Sequence, residues 1–203
     1  MAIDPLTEIG RELTPQRTRG AVVWFRNQIL RVTGRPVREE PVAPGTQRLK
    51  TKPDIVRPLT RVTNESIGAM CTFAYDPKYK GFLPYYDRYP IIFVVHVKAD
   101  RFLGINLHYL PPEMRKALMI ELLKINKIDS GRRIELSYNF LKGATGNVRF
   151  YKPCIKQYLK SHVYSSFAFV PAEEWHLAAA LPLQRFIKQP DSIVWADSVR
   201  MLS

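Results

Sequence analysis

Residues 82–111 read FLPYYDRYPIIFVVHVKADRFLGINLHYLP, and this stretch decides the fold. Residues 91–98 are β-branched and nearly all apolar, which is typical of a central strand buried on both faces. A second strand is expected at residues 101–109. The two runs are joined through Lys98, Ala99 and Asp100. So short a connection predicts a tight antiparallel hairpin, in which Gly104 permits a bend or close packing.

A helix is expected directly after the hairpin, because Pro111 and Pro112 end the strand and the first turn of a helix tolerates proline. In PPEMRKALMIELLKIN the apolar residues recur at helical spacing, at Met114, Leu118, Leu122 and Ile125. The same spacing is expected to turn three charged residues away from the core, namely Glu113, Arg115 and Lys116.

An amphipathic helix is also expected near the N-terminus, where RTRGAVVWFRNQILRVTG ends at Gly34. Residues 35–61 then contain five prolines and little periodicity, which indicates an extended arm. The chain is therefore divided into residues 1–62, a helix and a basic proline-rich arm, and residues 63–203, a core domain.

The remaining segments predict further elements of that core. GAMCTFAY and YSSFAFVPA are expected to be strands, DPKYKGFLPYYDRYP a long loop, and AEEWHLAAAL a short helix. RRIELSYNFLKGA favours a helix ending at Gly143, and PLQRFIK a loop or strand. In VRFYKPCIKQYLKSHV, Lys152, Lys156 and Lys160 recur at every fourth position, which predicts a helix with one lysine-lined face. The fold class is α+β: a small antiparallel sheet with flanking helices, for which closure into an SH3-like barrel is an open alternative.

Charge is the strongest compositional signal. The 203 residues include 31 Lys and Arg against 18 Asp and Glu, a net charge of +13. Such an excess favours a polyanionic partner, with an acidic protein surface as the alternative. The two cysteines, Cys71 and Cys154, form no metal-binding or disulfide pattern and suit a reducing compartment. The sequence shows no signal peptide or membrane span, and we expect none.

Catalytic patterns are weak. The four histidines are scattered, so no metal site is expected, and no nucleotide or cofactor motif is present. His96 and His108 are expected to pack and hydrogen-bond, facing each other across the hairpin. The enzyme class that best fits the charge is a metal-dependent nuclease, which needs converging carboxylates. Its candidate residues are Asp76, Asp87, Asp100 and Glu121 with Lys124, and each has a plainer role in a turn, an ion pair or an exposed face.

Binding is the better-supported alternative. Residues 136–172 hold several basic residues among eight tyrosines and phenylalanines and contain no acidic residue after Glu135 until Glu173. Lysines and arginines neutralise phosphates while rings stack on bases, although the rings could equally be core and the lysines solvated. The candidate DNA- or partner-binding residues are Arg17, Arg19, Arg26, Arg48, Lys50, Lys52, Lys142, Arg149, Lys152, Lys156 and Lys160. These residues are not accompanied by a motif that recognises base sequence, so any DNA contact is expected to be with the sugar-phosphate backbone.

Several strings resemble one family. LPYYDRYP and FLGINLHYLPPEMR, together with VVWFRNQI, YKPCIKQYLKSHV and IVWADS, are similar to small virion proteins of contractile-tailed bacteriophages of the T-even type, described as DNA end protector or head-completion proteins. The resemblance spans about residues 20–198. It implies a structural, non-enzymatic protein of the assembled particle, and it brings no catalytic residues and no cofactor.

Two hypotheses follow. In the first, the basic residues hold phosphates near the end of a packaged duplex, in the head-tail or neck region. In the second, the protein belongs to the baseplate or tail, and its arm binds neighbouring subunits. Both place it in a symmetric, multi-copy virion assembly after synthesis in the host cytoplasm, with other virion proteins as partners and no membrane contact.

Overall fold

The computed structural model describes residues 15–34, 61–126, 153–181 and 186–201. The predicted arm, apart from Arg61 at its end, and the predicted helix ending at Gly143 lie outside these ranges. No helix among the described residues is long and apolar enough to cross a membrane.

Within these ranges, five antiparallel strands form one open sheet. They are β1 (Met70–Thr72), β2 (Ile91–Val97), β3 (Arg101–Asn106), β4 (Ile155–Leu159) and β5 (Ala168–Val170). Their order is β4-β3-β2-β1-β5, so β4 and β5 are the edges and β2 is central. The same ranges contain four α-helices, namely α1 (Pro15–Thr33), α2 (Pro112–Asn126), α3 (Trp175–Ala180) and α4 (Asp191–Arg200). The predicted α+β class is confirmed.

The central hairpin is confirmed. The backbone N–H of Lys98 donates to the Arg101 carbonyl at 2.8 Å and closes the turn between β2 and β3. Residues 91–95 are all buried, as expected for a strand covered on both faces. Gly104 lies opposite Val94, and a Cβ built on it would be 2.5 Å from Ile92 Cδ1. The glycine is therefore required by close packing within the hairpin.

The core has two parts, one on each face of the sheet. On the helix face, Phe93 and Ile105 pack with residues of all four helices, including Phe25 of α1 and Leu118 of α2. The opposite face carries a second cluster, which we call the aromatic face. Its buried residues are Val62, Cys71, Phe73, Tyr75, Ile92, Val94, Phe102, Tyr158 and Phe167. Four of its rings surround Phe73 with centroid distances of 4.9–6.2 Å.

Helix α1 is amphipathic, as predicted. Its buried residues recur at helical spacing, at Ala21, Trp24, Phe25, Gln28, Ile29 and Val32. Gly34 ends the helix with φ +66 and donates its N–H to the Leu30 carbonyl at 2.8 Å. The Trp24 indole N–H donates to Glu174 Oε2 at 2.8 Å, which fastens α1 to the segment preceding α3.

The expected outward position of Arg115 is wrong. Its side chain is fully buried beneath α2 and is surrounded by carbonyl groups. Nε donates to the Leu107 carbonyl at 3.0 Å, Nη1 to that of Leu181 at 2.9 Å and Nη2 to that of Leu110 at 3.2 Å. Burial lowers the pKa of this guanidinium to about 10, so it stays charged at neutral pH. Arg115 joins the segment after β3 to the end of α3.

The lysine-lined helix predicted at residues 148–163 is also wrong where the structure describes it. Residues 155–159 form β4, which pairs with β3 through Lys156 opposite Gly104 and Tyr158 opposite Phe102. A short 3₁₀ helix, Lys160–His162, follows. The four-residue spacing of the lysines is typical of a helix. Residues 155–159 form a strand instead, because pairing with the edge of β3 overrides this local preference.

The two histidines do not face each other. His96 lies opposite Leu103 near the hairpin turn, whereas His108 lies beyond the other end of β3, in the 3₁₀ helix Leu107–Tyr109. His108 is buried, and its Nδ1 contacts Asp87 instead. The expectation of packed, hydrogen-bonded imidazoles therefore holds for His108, but with another partner.

Candidate nucleic-acid interface

A cavity of ≈ 670 Å³ opens on the aromatic face, beside the β2–β3 turn. Three segments that are distant in sequence form it: residues 61–64, residues 97–99 and the stretch from Lys160 to Phe167. We call it the basic cavity. It is lined by Arg61, Val62, Thr63, Asn64, Val97, Lys98, Ala99, Lys160, Val163, Ser165 and Phe167.

Each segment contributes one cation. Arg61 and Lys98 are exposed and Lys160 is partly buried, and none of the described residues that line the cavity is a carboxylate. Asp100, which directly follows Ala99 of the lining, already receives hydrogen bonds from Arg101 Nε at 2.9 Å and from Nη2 at 2.6 Å. These bonds, with a smaller effect from the charge of Lys98, lower the pKa of Asp100, so the carboxylate is ionised and engaged. The cavity therefore presents three cations to an external anion.

The rest of the lining combines apolar and polar groups. Val62, Val163 and Phe167 also belong to the core of the aromatic face, so they form a fixed apolar wall. Asn64 and Thr63 add polar side chains at the edge. Ordinary ligand cavities enclose about 300–1,000 Å³ and combine apolar walls with a few polar groups. The basic cavity thus has the size and chemistry to hold a phosphate group together with part of a nucleotide.

Strand β4 and the turn after it place two of the predicted binding lysines differently. Lys160 lines the basic cavity, and its backbone N–H donates to the Asp100 carbonyl at 2.9 Å. Lys156 instead places its Nζ over the Tyr109 ring, 4.0 Å from the centroid. Burial lowers the pKa of Lys156. The spacing that grouped these two lysines in sequence does not group them in space.

The remaining predicted residues are divided between α1 and the undescribed ranges. Arg19 on α1 is exposed and Arg17 and Arg26 are partly buried, but α1 covers the helix face, away from the basic cavity. Six predicted residues lie outside the described ranges, namely Arg48, Lys50, Lys52, Lys142, Arg149 and Lys152. Sequence reasoning missed Arg61 and Lys98. Each stands alone in its segment, so only the folded arrangement groups them.

The carboxylates considered for a nuclease are separated and have other partners. Asp76 accepts from Lys80 Nζ at 2.8 Å, and Asp100 accepts from Arg101. Asp87 is buried, with its Oδ2 2.6 Å from His108 Nδ1. The side chains of Glu121 and Lys124 lie outside the described set. Within the described residues, no group of three or more His, Cys, Asp or Glu could hold a metal ion.

The network around Asp87 is structural. Asn106 Nδ2 donates to Asp87 Oδ2 and to the Tyr158 hydroxyl, each at 3.1 Å. The Tyr89 backbone N–H donates to Asp87 Oδ1 at 3.0 Å, and that of His108 to Asn106 Oδ1 at 2.9 Å. These bonds hold the loop before β2 against the end of β3 and against β4. Since β4 leads into Lys160, the network also supports one wall of the basic cavity.

Comparison with known proteins identifies the family. No curated protein and no solved structure matches the chain. The family model described as Phage T4 terminal DNA protecting protein matches residues 20–198, which is most of the sequence. The chain therefore belongs to the phage T4 terminal DNA protecting protein family.

Proposed function

We propose that this protein is a structural, non-enzymatic virion component that binds the ends of linear double-stranded DNA and shields them from nucleases. Membership of the terminal DNA protecting family supports this role, and the net charge of +13 suits a polyanionic ligand. The single observation that carries the proposal within the structure is the basic cavity, where Arg61, Lys98 and Lys160 converge from three segments and none of the described lining residues is a carboxylate.

Phosphate groups are the DNA feature that these cations recognise. Three cations along one cavity can neutralise neighbouring phosphates and release their counterions, which drives binding without regard to base sequence. Sequence independence suits a protein that must bind whatever sequence lies at a genome end. The basic residues outside the described ranges, such as Lys52 and Lys142, are proposed to extend the same contact along the duplex.

The proposed position is in the particle, at the head-tail or neck region where packaged DNA terminates. Other virion proteins of that region are its proposed neighbours in a symmetric assembly, after synthesis in the host cytoplasm. The family description favours this position over a baseplate, because it names terminal DNA as what its members protect.

A competition experiment tests end binding. The protein is bound to a fluorescent linear duplex and challenged with unlabelled duplexes of identical length and sequence, whose ends are either open or closed by hairpin loops. Because the duplex portions of both competitors present the same phosphates and the hairpin loops only add to them, weaker competition by the closed duplex comes from its blocked ends. Better competition by the open duplex supports the proposal; equal competition by the two duplexes contradicts it.

The basic cavity is tested in the same format. Lys98→Gln combined with Lys160→Gln is expected to weaken binding of the open duplex. Lys116→Gln removes the same kind of charge from α2, on the helix face, and serves as the control. The two single variants Lys98→Gln and Lys160→Gln match this control in charge, and the cavity has no special role if Lys116→Gln weakens binding as much as either of them.

A further inference from the structure

The loop of residues 76–83 presents an aromatic ring to solvent. Phe82 is 92% exposed at the tip of this loop, and Tyr79 beside it is 59% exposed. A single exposed apolar residue is common on protein surfaces and needs no explanation. The Phe82 loop is different because several specific interactions hold it in place.

Lys188 is the main support of the loop. Its Nζ donates to the carbonyls of Lys80 at 2.7 Å, Gly81 at 3.1 Å and Leu83 at 2.8 Å. Three carbonyls on both sides of Phe82 thus share one ammonium group. Lys188 itself has φ 80, a conformation that non-glycine residues adopt at a cost. A strained residue that is kept in place to fasten a loop indicates that the loop conformation is used.

Bonds within the loop add to this support. The Phe82 backbone N–H donates to the Tyr79 carbonyl at 2.9 Å, and Lys80 Nζ donates to both carboxylate oxygens of Asp76, at 2.9 and 2.8 Å. The Phe82 ring is therefore presented by an ordered turn. A ring presented in this way loses little conformational freedom when it binds a partner.

The charge around the ring favours a polyanion over an apolar protein surface. Lys78, Lys80 and Lys188 lie in or against the loop, and Asp76 is the only acidic residue within residues 76–83. Lys78 Nζ lies 5.3 Å from the Tyr79 ring centroid. An exposed aromatic ring among cations is the combination that binds nucleic acid, with the ring on a base and the cations near the phosphates.

The loop is joined to the basic cavity through one short turn. The Asp76 backbone N–H donates to the His162 carbonyl at 3.0 Å, and His162 Nδ1 lies 2.8 Å from the Asp76 carbonyl oxygen. Lys160, two residues before His162, and Val163, one residue after it, both line the cavity. A ligand seated in the cavity is therefore close to the base of the Phe82 loop.

We propose that Phe82 stacks on the terminal base pair of duplex DNA. The inference rests on the proposed function, and it supplies what the cavity lacks, namely a means of distinguishing an end from the interior. Phosphates are present along the whole duplex, whereas the flat face of a base pair is exposed only at an end. An aromatic ring on a loop whose base adjoins the basic cavity can recognise that face without reading its sequence.

The test places the fluorescent base 2-aminopurine either in the terminal pair or in the centre of a duplex. Wild-type protein is expected to change the fluorescence of the terminal probe but not of the central one. Phe82→Ala is expected to abolish that change and to weaken binding of open-ended duplex about tenfold, the loss expected for one stacked base. Phe82→Tyr keeps a ring and is expected to behave like wild type. Met201→Ala, at a residue 66% exposed on the segment after α4, is the control.

Three outcomes distinguish failure of the stacking proposal from failure of the proposed function. If Phe82→Ala binds open ends as wild type does and the terminal probe is unchanged, stacking is wrong while end binding stands. If wild-type protein does not prefer open ends, the proposed function fails, and stacking fails with it. If Phe82→Ala binds open ends normally but is lost from assembled particles, the loop docks on another virion protein and the stacking proposal is overturned.

Discussion

The Asp87 carboxylate lies 2.6 Å from Nδ1 of His108, and both side chains are buried. The two residues belong to LPYYDRYP and GINLHYLPP, the most specific strings of the family resemblance. The loop before β2 and the segment after β3 meet at this pair, and the His108 carbonyl also accepts from the Trp195 indole N–H of α4 at 3.0 Å. The pair is therefore a junction at which three parts of the fold meet.

Removing the carboxylate should destabilise the protein strongly. Asp87→Ala leaves the imidazole of His108 and the amide of Asn106 without their shared acceptor in a buried site. Each buried group left without its hydrogen-bond partner costs about 1–3 kcal/mol. The free energy of unfolding in urea measures this change. Asp76→Asn, which breaks an exposed pair with Lys80, should have little effect; equal losses for the two variants would disprove the role of the Asp87 junction.

Replacing Arg115 should destabilise the protein to a similar extent, although no acidic residue among those described pairs with it. Arg115→Met removes the donor that the carbonyls of Leu107, Leu110 and Leu181 share inside the protein, and we expect a loss of about 3 kcal/mol or more. Thermal and urea unfolding of this variant should both show the loss. Lys116→Met, one position along α2, should change stability by less than about 0.5 kcal/mol. An unchanged free energy of unfolding for Arg115→Met would mean that other groups donate hydrogen bonds to these carbonyls.

Two glycines should respond to alanine with opposite signs. Gly104→Ala places a methyl group 2.5 Å from Ile92 Cδ1 and should cost about 1–3 kcal/mol. Gly20→Ala lies within α1 with nothing within 4 Å of the new Cβ, and should stabilise the protein by about 0.5–1 kcal/mol. Urea unfolding of the two single variants and of wild type measures both changes in the free energy of unfolding. Combining Gly104→Ala with Ile92→Val should recover part of the loss, because Ile92 Cδ1 is then gone; no recovery would point to another contact.

Local sequence patterns were sufficient to predict the elements whose contacts are between residues close in sequence. The apolar runs at residues 91–98 and 101–109 and the helical spacing of α1 and α2 predicted the hairpin and both helices. The same local logic failed for Arg115 and for β4. Arg115 is buried because carbonyls from α3, more than sixty positions away, converge on it, as in its bond to Leu181 with a separation of 66 residues. No spacing in the sequence shows such a convergence.

The candidate site was only partly predictable for the same reason. Lys160 was expected from the basic, aromatic-rich stretch, whereas Arg61 and Lys98 belong to two other segments that only the fold brings beside it. Phe82 lies in the loop predicted before the hairpin, but the loop conformation that exposes its ring is held by Lys188, which is separated from Lys80 by 108 residues. Long-range contacts therefore define both the basic cavity and the Phe82 loop.

Salt dependence should report the phosphate contacts of the basic cavity. The logarithm of affinity for duplex DNA should fall linearly with the logarithm of salt concentration, and each phosphate contact that is lost should reduce the slope by about 0.9. The variant combining Arg61→Gln, Lys98→Gln and Lys160→Gln should therefore show a shallower slope than wild type, whereas Lys116→Gln should keep it. Fluorescence anisotropy at several salt concentrations measures the slopes, and parallel lines for the triple variant and wild type would exclude these three residues from phosphate contact.

Protection of DNA ends is the most direct test of the central claim. A linear duplex bound by the protein is treated either with an exonuclease that degrades from the ends or with an endonuclease that cuts the interior. Binding at the ends predicts that a few proteins per DNA end stop the exonuclease while the endonuclease still cuts at its normal rate. Exonuclease digestion at the protein-free rate, with the protein shown to be bound, would contradict end binding; so would equal protection against both enzymes, which indicates uniform coating of the duplex.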